Sequence, residues 1–207
     1  MIIYCGYCFG SRQAEARKRG MGMMISTCPG WKPDKTLRGM PLALDNGAFS
    51  LSRRGLPFLE QPFADRIHQC YEAGLSLDWI VTPDLVGRGI RSLKFSYHWA
   101  TQTWLASAPR LALAVQDGMT TDMVFHGMAD PFSVIFVGGS VEWKWATARA
   151  WIDEAHRHGK LCHIGQAGRQ NAIAKCRLWG ADSCDSTSFA QNGTWDNADV
   201  IEHDLFM

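Results

Sequence analysis

The chain has 207 residues, 46% of them apolar, and a formal net charge of +1. This length suits one domain with a sizeable core, nothing in the composition suggests disorder, and the near-zero charge weakens a polyanion partner without excluding one, because a local basic rim is enough. No apolar run approaches the ~20 residues of a membrane span, and the start of the chain, Met1 to Gly6, has no charged leader. Together with seven scattered cysteines, this leads to the expectation of a soluble cytoplasmic protein without membrane contact.

Apolar β-type segments alternate with amphipathic ones along the whole chain. The first strand runs from Met1 to Cys5, followed by a helix from about Ser11 to Arg19. Met21 to Ser26 is a weaker second strand, with a Pro/Gly/Lys-rich stretch up to Met40. Leu42 to Asp45 is the third, followed by a polar loop bearing Arg53 and Arg54 and a helix over Gln61 to Ala73. Trp79 to Thr82 is the fourth, before a helix from Ile90 to Ala106 with Leu93, Tyr97 and Trp104 near one face. Leu111 to Val115 and Val134 to Val137 follow, separated by a short helix from Thr121 to Met128. An amphipathic helix from Lys144 to His158 leads to Leu161 to Ile164, and a helix from Arg169 to Trp179 ends at Gly180. The last strand runs into Asp185. Strands alternating with helices of this length predict a parallel sheet, and eight units predict a single compact (β/α)8 barrel of the TIM type over residues 1–207. An open doubly wound sheet is the second choice.

Functional groups recur at the strand ends. The third strand ends in Asp45, the fourth runs into Asp84, the fifth ends in Gln116, the sixth in Gly138-Gly139, the seventh in His163 to Gly165 and the eighth in Asp185. In a barrel these lie around one mouth, at the face where ligands bind. They describe a site for a polar, flat, hydrogen-bonding ligand, with Asp185 as candidate nucleophile.

The ordered set resembles the guanine transglycosylases, which exchange guanine in nucleic acid for a 7-deazaguanine base. That family's Asp-Ser-Gly-Gly-Phe is similar to Asp45-Asn-Gly-Ala-Phe49, and its Val-Gln-Gly-Gly to Val115-Gln-Asp-Gly118. Its Ile-Gly-Gly-Leu is similar to Val137-Gly-Gly-Ser140. Its Gly-Ile-Asp-x-Phe-Asp-Cys resembles Gly180-Ala-Asp-Ser-Cys-Asp-Ser186, with the glycine and both aspartates in register. A following Asn-Gly recurs at Asn192-Gly193. Two features depart from the tRNA-acting members. No Cys-x-Cys-x-x-Cys…His zinc cluster lies between Asp185 and Met207, and no arginine follows the nucleophile. The resemblance is therefore nearest to the short relatives of phage and bacterial modification clusters that act on DNA, with no zinc subdomain, metal or cofactor.

What the resemblance implies is a double displacement at a sugar C1′, with Asp185 as nucleophile and Asp45 as acid and base. Asn46, Asp84, Gln116, Gly138, Gly139 and His163 would contact the base. Arg53, Arg54, Arg88 and Arg169 would meet phosphates. The partners implied are DNA, with tRNA as the alternative, and a free 7-deazaguanine base such as 7-cyano-7-deazaguanine. A homodimer or an accessory subunit is a further expectation. Other readings are a retaining glycosidase or nucleoside hydrolase, and a nucleobase-binding barrel without catalysis.

Ordinary structural roles compete with several of these assignments. Asp45-Asn-Gly is also a turn sequence, and Asp84 after Pro83 could cap the next helix. Asp182 reads as structural and Asp117 as rim. His163 could touch the ligand or a neighbouring carboxylate. Cys5-x-x-Cys8 has the spacing of half a zinc site or a redox pair, but reads better as two structural thiols. His156 and His158 lie on a solvated helix and need no role.

Overall fold

A computed structural model describes residues 1–27, 32–108 and 110–199. Residues 28–31 of the Pro/Gly/Lys-rich stretch, residue 109 and residues 200–207 lie outside that description. The eight strands are β1 (Ile2–Gly6), β2 (Gly22–Ile25), β3 (Leu42–Leu44), β4 (Trp79–Val81), β5 (Leu111–Val115), β6 (Val134–Val137), β7 (Leu161–Ile164) and β8 (Ser183–Ser186). They form one closed barrel in sequence order, every neighbouring pair parallel. The helices are α1 (Ser11–Lys18), α2 (Ala48–Arg53), α3 (Glu60–Glu72), α4 (Ile90–Gln102), α5 (Thr121–Phe125), α6 (Val141–Arg157), α7 (Gln170–Leu178) and α8 (Ser188–Asn192). The (β/α)8 expectation holds. Among the described residues no helix is long and apolar enough to cross a membrane.

Strand side chains alternate between two cores, as the period of two requires. Ile3, Cys5, Met23, Ile25, Leu42, Leu44, Ile80, Leu113, Ile135, Cys162 and Cys184 pack outward, in one cluster with the buried helix residues. Tyr4, Met24, Ala43, Trp79, Val81, Ala112, Ala114 and Val134 form a separate cluster inside the barrel, with Phe136 against it. The inner positions mix large rings with alanines, so the rings fill the lumen that the alanines leave open. Trp79 meets Tyr4 at 5.6 Å, Phe136 at 6.1 Å and His163 at 4.9 Å between centroids. Tyr4 is tied down by its hydroxyl, which donates to Asp78 Oδ2 at 2.7 Å. The result is an aromatic floor, and a cavity above it at the C-terminal ends of the strands.

Two local differences from the sequence expectation, and one agreement, have physical causes. The arginine-bearing loop contains a helix, α2, started by Gly47 in the left-handed conformation (φ 77°) and by Asn46 Oδ1 accepting from Ala48 N–H at 2.7 Å. A Cβ on Gly47 would lie 2.1 Å from Thr27 Oγ1, so only glycine fits. Helix α4 stops at Gln102 because Thr103 is extended (φ −123°, ψ 176°) and caps a separate 3-10 turn, Trp104–Ser107. Trp104 consequently leaves the helical face of Leu93 and is exposed. No α-helix joins β2 to β3 among the described residues, only a 3-10 turn at Lys35–Leu37. Asp34 caps it, accepting from Thr36 N–H at 2.7 Å.

The floor depends on small residues facing its rings. A Cβ on Gly22 would lie 2.6 and 2.7 Å from two carbons of the Tyr4 ring and 3.0 Å from Pro41 O. Tyr4 is fully buried and held at its hydroxyl, so the ring has nowhere to go. Gly22→Ala is expected to destabilise the protein by about 1–3 kcal/mol through overpacking, measured by denaturant unfolding. An unchanged midpoint would show that the floor is loosely packed.

Candidate functional site at the barrel mouth

The cavity encloses about 1020 Å³ and is lined from nearly every strand end, including Asp45, Asp84, Gln116, Gly138, Gly139 and Asp185. Parity explains the choice of residues. Asp45 is two beyond the inward Ala43, Gln116 two beyond Ala114, Gly138 two beyond Phe136, and Asp185 two beyond Ser183. Each therefore turns inward, one layer above the aromatic floor.

Asp185 is anchored through one oxygen. Its Oδ1 accepts from His163 Nε2 at 3.0 Å and from the Gln166 backbone N–H at 3.1 Å. A carboxylate only accepts, so Nε2 carries the hydrogen, and the Ser183 hydroxyl meets Nδ1 at 2.8 Å. His163 is fully buried, stacked on Phe136 at 4.7 Å. This corrects its expected contact with the base: His163 lies in the floor and orients Asp185 from below. Gln166 reaches Asp185 by adopting a positive φ of 55°, a conformation costing a non-glycine residue about 1–3 kcal/mol. Among the described residues no hydrogen bond reaches Oδ2.

Asp45 is the second carboxylate, and its surroundings make it a different acid. Burial, then the charges of Asp84 and Asp185, push its pKa up to about 7, against the pull of the backbone N–H groups of Gly47 and Asn46. Asp84 is raised to about 6 by burial, opposed by hydrogen bonds from Asn46 and Gln116. Near neutral pH, Asp45 is poised between its two states while Asp84 is mostly ionised.

Asn46 and Gln116 are largely spent on this arrangement rather than free for a ligand. Asn46 Nδ2 donates to Thr82 O at 2.6 Å and to Asp84 Oδ1 at 2.9 Å. Gln116 Nε2 donates to Asp84 Oδ2 at 3.3 Å and Ser92 Oγ at 2.8 Å, while its Oε1 accepts from Gly87 N–H. Both line the cavity, with their amide hydrogens committed within the protein. Asp84 does not cap α4. Ser92 pins that loop instead, accepting from Leu85 N–H at 2.9 Å.

The paired glycines have different reasons. A Cβ on Gly138 would meet the protein only at ordinary contact distance, 3.5 Å or more, so packing alone does not demand glycine there. Gly139 has φ 76°, and a Cβ would lie 2.6 Å from Asp117 Oδ2. It serves the turn in which Asp117 accepts from Ser140 N–H at 2.7 Å and Oγ–H at 2.6 Å. Of the four arginines, Arg53 lines the cavity, on the same face of α2 as Phe49. Arg54, just after α2, and Arg88 and Arg169, on strand-to-helix connections, are exposed and do not line it.

Asp182 is structural, as expected from its register. Its Oδ2 accepts from Cys162 N–H at 2.7 Å and lies 2.8 Å from His156 Nε2, so His156 is paired rather than merely solvated. Cys5 and Cys8 are both buried, and the Cys5 thiol donates to Gly22 O at 3.4 Å. Among the described residues no cluster of His, Cys, Asp and Glu could hold a metal ion.

Sequence reasoning missed Lys144, Gln166, Tyr7 and Phe49, which all line the cavity. A signal existed for Lys144, because it precedes Ala148, Trp151, Ile152 and Ala155 on the buried stripe of α6. None existed for Gln166, whose backbone conformation follows from the turn it occupies. Neither a protein-family model nor a curated protein matches this chain.

The raised pKa of Asp45 has a stability consequence. A folded value above the unfolded one stabilises the fold fully at low pH, and that contribution is lost as pH rises through about 7. Asp45→Asn removes the cost of ionisation, so it is expected to raise Tm by roughly 2–5 °C at pH 8 and to confer no such gain at pH 4. Equal shifts at both pH values would contradict the electrostatic assignment of Asp45.

Proposed function

We propose that the protein is a transglycosylase of the guanine-exchanging type, replacing guanine in DNA with a 7-deazaguanine base through a covalent aspartyl-sugar intermediate. The observation that carries this reading is the division of labour between two carboxylates at one mouth. Asp185 is held through Oδ1, with no hydrogen bond to Oδ2 among the described residues, whereas Asp45 is poised to exchange a proton near pH 7. The ordered likeness of the strand-end motifs to the guanine transglycosylases supports the substrate class.

In the forward half-reaction, Asp185 Oδ2 attacks C1′ of the target nucleotide. The C1′–N9 bond breaks, its electrons leave with guanine, and neutral Asp45 supplies the proton. An ester links Asp185 to the sugar. In the second half, Asp45, now a carboxylate, takes the proton from N9 of the incoming base, which attacks C1′ and expels Asp185. Two inversions give net retention. Asp84, fixed by Asn46 and Gln116, accepts from the N–H edge of the base. Gly138 lets a flat ring approach the backbone, and Phe49 and Arg53 border the mouth where the polymer strand enters. The target nucleotide has to leave its stack to reach C1′, at a cost of a few kcal/mol, least in single-stranded DNA.

Radiolabelled guanine incubated with the protein and either DNA or tRNA tests the reading. Label is expected in DNA. Label in tRNA alone would keep the chemistry and change the polymer, and label in neither would favour a hydrolase or a binding barrel. Asp185→Ala is expected to bind free base yet form no denaturant-stable adduct, so an active variant would refute the nucleophile. Adduct formation should fall as pH rises through about 7, where Asp45 loses its proton. Asp45→Asn should be slower by about 10²–10⁴-fold and lack that limb.

A further inference from the structure

One carboxylate at the mouth is hydrogen-bonded on a single side. Asp185 Oδ1 accepts from His163 Nε2 at 3.0 Å and from the Gln166 backbone N–H at 3.1 Å. Among the described residues nothing donates to Oδ2. Asp84, by contrast, accepts on both oxygens, from Asn46 and from Gln116. A buried carboxylate that only braces the fold gains by filling both oxygens. Two donors gathered on one oxygen call for another reason.

Both donors are built into the barrel. His163 lies in the layer beneath Asp185, with no exposed surface, and does not line the cavity. Its ring is stacked on Phe136 at 4.7 Å and meets Trp79 edge-on at 4.9 Å, with Tyr4 at 5.9 Å. Rings on three sides leave it no room to swing Nε2 away. Ser183 Oγ lies 2.8 Å from Nδ1. By donating there, the hydroxyl keeps the hydrogen of a neutral ring on Nε2. The second donor reaches Oδ1 because Gln166 adopts a positive φ of 55°, which strains a non-glycine residue.

We propose that His163, together with the Gln166 N–H, governs how long the sugar stays on Asp185, by stabilising the carboxylate as it leaves. This rests on the proposed exchange reaction and deepens it. Before attack the two donors face an anion. In the intermediate Oδ2 carries the sugar and Oδ1 is an ester carbonyl, a weaker acceptor than a carboxylate. In the second half-reaction N9 of the incoming base bonds to C1′ and gives its proton to Asp45. The C1′–Oδ2 bond breaks, and its electron pair returns to the carboxylate, shared with Oδ1 where the donors already stand. Donors aimed at charge that develops in the transition state speed that step, so these favour breakdown of the ester over its accumulation. His163 acts through Asp185, as a positioning residue.

Single-turnover kinetics of the full chain with an end-labelled, guanine-containing single-stranded DNA separate the two halves. The denaturant-stable adduct is followed as it forms without added base, and as it decays after a chase of free guanine. His163→Gln and His163→Met are a matched pair of similar length, with a donor near the Nε2 position only in the glutamine variant. In His163→Met, decay is expected to slow at least about tenfold more than formation, the worth of a hydrogen bond to a charged group. His163→Gln should restore decay to within about threefold of the unmodified protein. Equal slowing of both halves in His163→Met, or no recovery in His163→Gln, overturns the proposal and leaves His163 a packing residue. If the variants do not fold, proton NMR of the unmodified protein with nitrogen-15 histidine decides. The His163 Nε2–H resonance should move upfield on ester formation, as its acceptor changes from anion to carbonyl, and an unmoved resonance overturns the proposal. An unmodified protein that forms no adduct with DNA or with tRNA refutes the proposed function, and this inference with it.

Discussion

The site depends on closure of the sheet between its first and last strands. Strand β8 has β7 on one side and β1 on the other, with Tyr4 opposite Asp185 and Cys5 opposite Ser186. Backbone hydrogen bonds begin that seam at Ile2 N–H to Asp182 O, 2.8 Å. In an open sheet the first and last strands would lie at opposite edges. Closure brings the charge of Asp185, from the end of the chain, to bear on Asp45, from its first quarter. The Tyr4 ring of β1 lies beside His163, 5.9 Å between centroids, in the layer beneath Asp185.

The aromatic floor then decides the electrostatics. Tyr4, Trp79, Phe136 and His163 close the barrel beneath the carboxylates and keep water from solvating them on that side. Desolvation is the larger contribution for both Asp45 and Asp84, ahead of any neighbouring charge. What separates the two acids is hydrogen bonding. Asp84 receives side-chain amide donors on both oxygens, while Asp45 has only backbone N–H groups and two anionic neighbours. In the same setting Asp185 is held through one oxygen by His163 Nε2 and the Gln166 backbone N–H.

Much of the fold was legible from periodicity. Segments such as Leu111 to Val115 and Val134 to Val137 are too short and too apolar for helices, and the amphipathic stretches between strands have helical length. Where local chemistry intruded, boundaries shifted. Thr103 interrupts the helix that began at Ile90, and Asn46-Gly47 both turns the chain and starts a helix. The turn and site readings of Asp45-Asn-Gly were not alternatives: Asn46 and Gly47 make the turn while Asp45 faces the cavity.

The sequence by itself determined that eight strands alternate with helices and that strand ends carry Asp45, Gln116, Gly138 and Asp185 on inward-facing positions. Parity suffices for that, because a strand's side chains alternate whatever the strand packs against. Tertiary structure alone decided which polar groups are spent on one another. His163 is claimed by Ser183 and Asp185, Gln116 by Asp84, Ser92 and Gly87, and Asn46 by Thr82, Asp84 and Ala48. Most of these partners are 20 or more residues apart, and such pairing leaves no mark in local pattern. It arises when a closed barrel forces buried donors and acceptors to satisfy each other. Lys144 shows the boundary between the two: the helical stripe places it against the barrel, and only closure places it on the wall of the cavity.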